Sequence, residues 1–219
     1  MASKLLPPNL SDHLVEVTDI EQCLHSLAAH HEDADHLHVT GQTLRGERLP
    51  GKRLDFCDCI FERCTFEFQK DHACSFVDVV FKNCDLSNAD FTKSTFLRVT
   101  MIDCKAMGTG FSESVLNHVS VEQGLFRYAN FSASKISSVR FDGVDLQGAA
   151  LEQCKLKEVA FDHCSLESAE FSFTSLKGIN LTSSSIRGIK ANLADLRGAV
   201  MASHQLVDLA GLLGIVVKG

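Results

Sequence analysis

The chain has 219 residues, with 28 acidic against 21 basic side chains and a net charge of −7. That balance excludes a non-specific nucleic-acid binder, and the absence of an 18-residue apolar run or an apolar leader in MASKLLPPNL argues against a membrane span and secretion. A cytoplasmic protein is therefore expected, in which the nine cysteines are reduced thiols and not a disulfide framework.

Residues 1–38 differ from the rest. They hold six of the ten histidines, and seven carboxylates against the single Lys4, so nearly all the net charge lies here. Pro7-Pro8 blocks an early helix. Thr18-Asp-Ile-Glu21 reads as a capping box opening a short helix to about Ala29, with Ile20, Leu24 and Leu27 as its apolar face. The run HHEDADHLH (30–38) has no convergent metal-ligand spacing and reads as a solvated acidic cap.

From Phe56 the pattern changes. Thirteen of the fifteen Phe stand at positions ending in 1 or 6, and 31 consecutive positions at intervals of five, to Leu206, are apolar except for Asp71. A second register two residues earlier (Leu54, Cys59, Cys64, Cys74, Val79, Cys84, Ala89, Ser94) is small or β-branched. A period of five fits neither helix nor strand. It fits a chain that turns a corner every five residues, so that four pentads close a square coil and stacked coils share one continuous core. This predicts an all-β quadrilateral β-helix over 39–202, with 1–38 as a small N-terminal cap. Val39, Leu44, Leu49 and Leu54 also recur at five but are out of frame with Phe56. Either the frame shifts by two near Gly51, or these residues occupy the small register.

Seven cysteines fall in the small register, which suits a small apolar filler of a narrow shaft and not a metal site. P-loop, G-x-S-x-G and H-E-x-x-H motifs are missing, so neither an enzyme nor a cofactor is expected. Burying the lone carboxylate of Asp71 would be costly, so EFQKDHA (67–73) is expected to bulge outward. In the outer columns, Glu122, Asp142 and Asp162 stack in consecutive coils, and Lys157, Lys177 and Arg197 form a basic column on the adjacent side. Phe68, Tyr128 and Phe173 lie outside both inward registers, which makes them exposed interface candidates. Residues 203–219 leave the frame: Ser203 is a candidate N-cap for a helix with Leu206, Leu209, Ala210 and Leu213 on one stripe, Gly214 stops it, and Ile215-Val216-Val217 reads as a short strand. Such an end is either a cap or a dimer interface.

The five-residue frame resembles that of the pentapeptide repeat proteins, whose fold is a right-handed quadrilateral β-helix. FKNCDLSNADF (81–91), CKAMGTGF (104–111), RYANFS (127–132) and LAGLLGIVVKG (209–219) resemble the quinolone-resistance (Qnr-type) branch. That resemblance implies binding to DNA gyrase or topoisomerase IV in place of DNA, with protection of the enzyme from quinolones. The implied contacts are Glu122, Asp142, Asp162 and the segment Glu67, Phe68, Lys70, Asp71 and His72, where transferable members of the branch carry a short projecting loop. Their second, longer loop is missing here, because the frame from Phe111 to Phe131 is unbroken; in this the chain is similar to the loop-poor chromosomal proteins of Gram-positive bacteria. The resemblance also implies a homodimer through Leu206, Leu209, Ala210, Leu213, Ile215 and Val217. Two other functions fit the same fold: self-immunity against a topoisomerase-targeting toxin, or a scaffold for an unrelated protein.

Overall fold

The computed structural model describes residues 5–30, 33–48, 53–69 and 73–216. It is a parallel β-solenoid of about seven turns. Before the coils come β1 (Val15–Val17) and α1 (Ile20–His30); β2 (Ala34–Asp35), β3 (Leu37–Thr40) and β4 (Thr43–Arg45) make the first coil. Then follow β5 (Arg53–Glu62), β6 (Thr65–Glu67), β7 (Ala73–Lys82), β8 (Thr95–Ile102), β9 (Val115–Glu122), β10 (Lys135–Asp142) and β11 (Lys155–Asp162). All pairings are parallel, in the order β1-β3-β5-β7-β8-β9-β10-β11, with β2 also on β5 and β4 on β6.

Register carries the five-residue period into space. Phe56 pairs with Phe76, Phe76 with Phe96, and Phe96 with Leu116, each 20 residues on. Each of these strands spans two of the four sides. The other two sides are joined by isolated bridges such as Asp85↔Lys105 and Asp90↔Gly110. Corners arise two places after each central residue, where the backbone is left-handed: Asp58, Asp78, Arg98 and His118 on one corner have φ of 50°, 56°, 51° and 54°. Non-glycine residues tolerate this region poorly in isolation, and here the stacked coils impose it.

The core is the two inward registers. Central rings stack face to face between coils, as in Phe111–Phe131 at 4.9 Å and Phe56–Phe76 at 5.3 Å, and meet edge to face around a coil. The small register does more than fill space. Ser114 Oγ donates to the Phe91 carbonyl of the coil below (2.8 Å) and accepts from the Ser94 N–H (3.1 Å); Ser134 and Thr174 repeat the arrangement. The seven register cysteines are buried thiols outside any disulfide, and several use their Sγ as donors in the same way, such as Cys84 to Phe61 O and Cys164 to Phe141 O. Burial pushes the thiols of Cys59 and Cys74 up to about 12 and those of Cys154 and Cys164 up to about 11, so they remain protonated.

The out-of-frame leucines resolve into a shift of two. Val39 pairs with Phe61 and Leu44 with Phe66, both 22 residues apart, so they stand in the central register, whereas Leu54 pairs with Cys74 in the small one. Leu49 lies outside the described residues. The coil therefore starts at Ala34, which pairs with Phe56, and not at residue 39. In the cap, Asp19 and not Thr18 caps α1, its Oδ1 accepting from the Gln22 N–H at 2.9 Å. Ile20 and Leu24 are buried.

The C-terminal end is helical, as expected, in two short 3₁₀ turns, Ser203–Leu206 and Ala210–Leu213, the first preceded by Ala202 and not Ser203 as its N-cap and the second ended by Gly214 at φ 69°. Residues 215–216 form no strand, and Val217 lies outside the described residues. Gln205, only 2% exposed, closes the last coil: its Nε2 donates to the carbonyls of Leu181 (2.8 Å) and Ser184 (2.7 Å), and its Oε1 accepts from the Ala202 N–H. An amide that satisfies the carbonyls left open by a terminated solenoid removes the need for a long helix there. Among the described residues, no helix is long and apolar enough to cross a membrane.

Candidate interaction surface

The acidic column exists as the register requires. Glu122 stands beside Asp142, and Asp142 beside Asp162, on consecutive strands β9, β10 and β11. It is not a bare stripe of charge. Arg140, projecting from the same side of the coil, puts Nη2 3.0 Å from Asp142 Oδ2 and Nε 2.8 Å from Asp162 Oδ2. His163 Nδ1 is 3.5 Å from Asp142 Oδ1, and Ser120 Oγ donates to Glu122 Oε1 at 2.9 Å. Arg140 is held more firmly in its charged form by its hydrogen bond to Asp162. One guanidinium thus offsets part of three carboxylates and fixes two of them in orientation. The basic residues Lys157, Lys177 and Arg197 are exposed.

Of the segment 67–73, expected to bulge outward, residues 67–69 and 73 are described. Glu67 is exposed and pairs with Arg45 (3.2 Å), tying β6 to β4. Phe68 is not an exposed contact: it is 2% exposed, with its ring 5.5 Å from both Phe66 and Phe91. The chain leaves its frame one residue early here. Asp90 N–H bonds to Phe68 O, 22 residues back, where the next coil up uses Gly110 N–H to Ala89 O, 21 back. Phe68 takes the inward place that the frame gives to Gln69, with its ring against Phe91, and Gln69 faces solvent. Lys70, Asp71 and His72 lie outside the described residues.

Tyr128 and Phe173 are exposed as expected, at 64% and 72%. The Tyr128 ring lies over Gly148 in the next coil: a Cβ on Gly148, whose φ is +66°, would stand 2.7 Å from the ring. Met107 and Leu125 are also exposed.

At the C-terminal end the candidate dimer residues divide. Leu206 and Ile215 are exposed, together with Val207 and Val216, whereas Ala210 is buried and Leu209 packs on the protomer's own core. A 3₁₀ turn has three residues per turn, so the 3.6-residue stripe is split between the two sides. The Leu213 side chain and Val217 lie outside the described residues.

A further cluster was not legible in the motifs. Asp58 is 6% exposed; it accepts from the Ser11 N–H (2.9 Å) and meets His36 Nδ1, while His36 Nε2 faces Asp35 Oδ2 at 3.3 Å. One ligand atom from each of Asp35, His36 and Asp58 lies within 4.8 Å of the others, so the fold brings two residues of the 30–38 run together with Asp58 in a convergent set that the spacing of the run did not show, although acidic groups commonly cluster in this way without an ion. Asp78, 7% exposed, accepts from Arg98 Nε (2.6 Å), Arg98 Nη2 (2.5 Å) and the Asn9 N–H (2.8 Å). Burial pushes both carboxyls up, but hydrogen bonds from Ser11 and His36 hold Asp58, and those from Arg98 and Asn9 hold Asp78, below the ordinary aspartate value. The signal was present in the corner column, which reads Asp58, Asp78, Arg98, His118 in four successive coils.

Compared with known proteins, the family model of the pentapeptide repeat region matches residues 74–151, and that of pentapeptide repeats in eight copies matches residues 145–182. Solved structures of similar chains include a trypsin-treated variant of QnrB1, a plasmid-mediated fluoroquinolone resistance protein, at 24% identity over 85% of this chain and 90% of that one, with a TM-score of 0.39. HetL, a pentapeptide repeat protein involved in heterocyst differentiation regulation from Nostoc sp. strain PCC 7120, is 16% identical over 86% and 98%, with a TM-score of 0.31. A pentapeptide repeat protein of the Arabidopsis thaliana thylakoid lumen is 20% identical over 58% and 75%, with a TM-score of 0.30. No curated protein sequence matches.

Proposed function

Because the chain belongs to the pentapeptide repeat family, whose rods offer flat sides in place of catalytic clefts, we propose that it acts without catalysis, in the cytoplasm, by binding a type II topoisomerase (DNA gyrase or topoisomerase IV) and lowering its poisoning by quinolones. The observation that carries this reading is the column Glu122, Asp142 and Asp162, stacked in register along one side. Carboxylates at the strand spacing of about 4.8 Å present a line of negative charge to a surface built to hold a DNA backbone. Arg140 dilutes that charge and sets its geometry. Specificity then comes from position more than from bulk charge. The phrases at 81–91, 104–111 and 127–132 that resemble the Qnr-type branch support the same partner.

The test is gyrase supercoiling with and without ciprofloxacin across micromolar concentrations of this protein. Protection of supercoiling is expected; neither protection nor inhibition would overturn the reading. Replacing Glu122, Asp142 and Asp162 together by Lys should weaken protection by about tenfold or more, the scale of losing close charge pairs at an interface. The circular dichroism spectrum should be unchanged, because all three side chains lie outside the core.

The exposed Leu206, Val207, Ile215 and Val216 support a homodimer through the C-terminal end. Light scattering should give a mass near twice 24.0 kDa. Leu206→Asp with Val207→Asp should reduce it to one chain.

A further inference from the structure

Residues 5–11 do not cap the rod. They run along its outside, across the coils, on the corner between the first two sides. The Ser11 N–H donates to Asp58 Oδ1 (2.9 Å), the Asn9 N–H to Asp78 Oδ1 (2.8 Å) and the Leu6 N–H to His118 Nδ1 (3.3 Å). Leu5 reaches the groove beside Ser138 and Arg140. The acceptors are corner residues of the second, third and fifth coils, so the segment climbs the rod as it is followed from Ser11 back to Leu5.

The spacing fits an extended peptide. From Asn9 to Leu6 is three residues and two coils: about 9–10 Å of polyproline-like chain against about 9.6 Å of coil stacking. Pro7 and Pro8 hold that conformation and lack N–H donors. They pass the one coil in this stretch whose corner residue, Arg98, is itself donor-only and already turned to Asp78. Burial follows the same path. Asp58, Asp78 and Ser138 on this corner are buried, whereas Arg63, Asn83, Asp103 and Gln123 on the next corner are exposed, and on the covered corner exposure returns at Glu158, beyond Leu5. The side chains that receive the peptide project from the corner, outside both inward registers, so the core is complete without it.

We propose that this corner is a binding groove for an extended, proline-bearing peptide that donates backbone N–H groups to a ladder of corner acceptors, and that residues 5–11 are its tethered, separable ligand. A partner segment of the same chemistry would then bind by taking the arm's place. This inference is independent of the topoisomerase reading.

Two measurements test it. In the unsubstituted full chain, the amides of Leu6, Asn9 and Ser11 should exchange with solvent deuterium together and at least about a hundredfold faster than coil amides such as Val119, as expected of a locally opening unit. Exchange of these three only at the rate of global unfolding would overturn the separable arm. The full-length double variant Asn9→Pro, Ser11→Pro removes two donors without touching a coil. It should bind a fluorescein-labelled peptide of residues 5–12 saturably, and at least about tenfold tighter than the unsubstituted chain does, because there the tethered arm competes at millimolar effective concentration. The same peptide carrying both proline substitutions should not bind. Equal binding to both chains, or no saturable binding up to about 1 mM in either, would overturn the groove.

Discussion

Phe68→Ala should lower the free energy of unfolding by about 3–5 kcal/mol, the range for removing a fully buried ring from a core that cannot collapse around the gap. Phe173→Ala, also two places after a central residue, should change it by less than about 0.5 kcal/mol. The contrast follows from surroundings alone: Phe68 is 2% exposed against Phe66 and Phe91, and Phe173 is 72% exposed at φ 61°. Phe68 is an inward plug, so its loss leaves a hole beside Phe91. Denaturant titration of both variants decides the matter. A near-neutral Phe68→Ala would show that the ring is a surface contact after all.

Asp78→Asn should cost about 2–3 kcal/mol at pH 7, below the full penalty for an orphaned buried charge because Arg98 keeps partial solvent contact. The substitution breaks the two-pronged pair with Arg98 and weakens the anchor of the Asn9 N–H. Its effect should depend on pH with a definite sign. Asp78 is held below its ordinary value of 3.8 in the folded state, so the folded protein holds the proton less readily than the unfolded chain does. The stabilisation is therefore fully present above the unfolded value and is lost as pH falls through the folded one. Urea midpoints of parent and variant should differ most at pH 7, and the gap should narrow as pH falls below 3.8. A gap that stays constant with pH would assign the cost to packing.

Much of this molecule is legible from one repeated choice. The residues at intervals of five set the coil, the 20-residue stacking and the two inward registers, and these in turn put Glu122, Asp142 and Asp162 in one column. A solenoid repeats its local environment, so sequence spacing converts directly into distance. The limits appear where the repeat is interrupted. Nothing in the spacing of EFQKDHA says that Phe68 rotates inward while Gln69 turns out, because that exchange depends on the space beneath Phe91, which belongs to the next coil. Nor does the acidic column reveal Arg140, which stands in a different outer column and reaches across.

The N-terminal segment shows the same division. Its charge, its prolines and the helix after it were readable, but its path was not, since nothing periodic links Asn9 to Asp78 or Leu6 to His118. The C-terminal turns are likewise set by Gln205 meeting the carbonyls of Leu181 and Ser184, a contact across more than 20 residues. By itself the sequence determined the coil, its core and the order of its outer columns, because each of these follows from one period imposed on identical slots. Only the tertiary structure decided which side chains cross between columns, where the arm lies and how the end is closed, because those depend on contacts between residues that share no period.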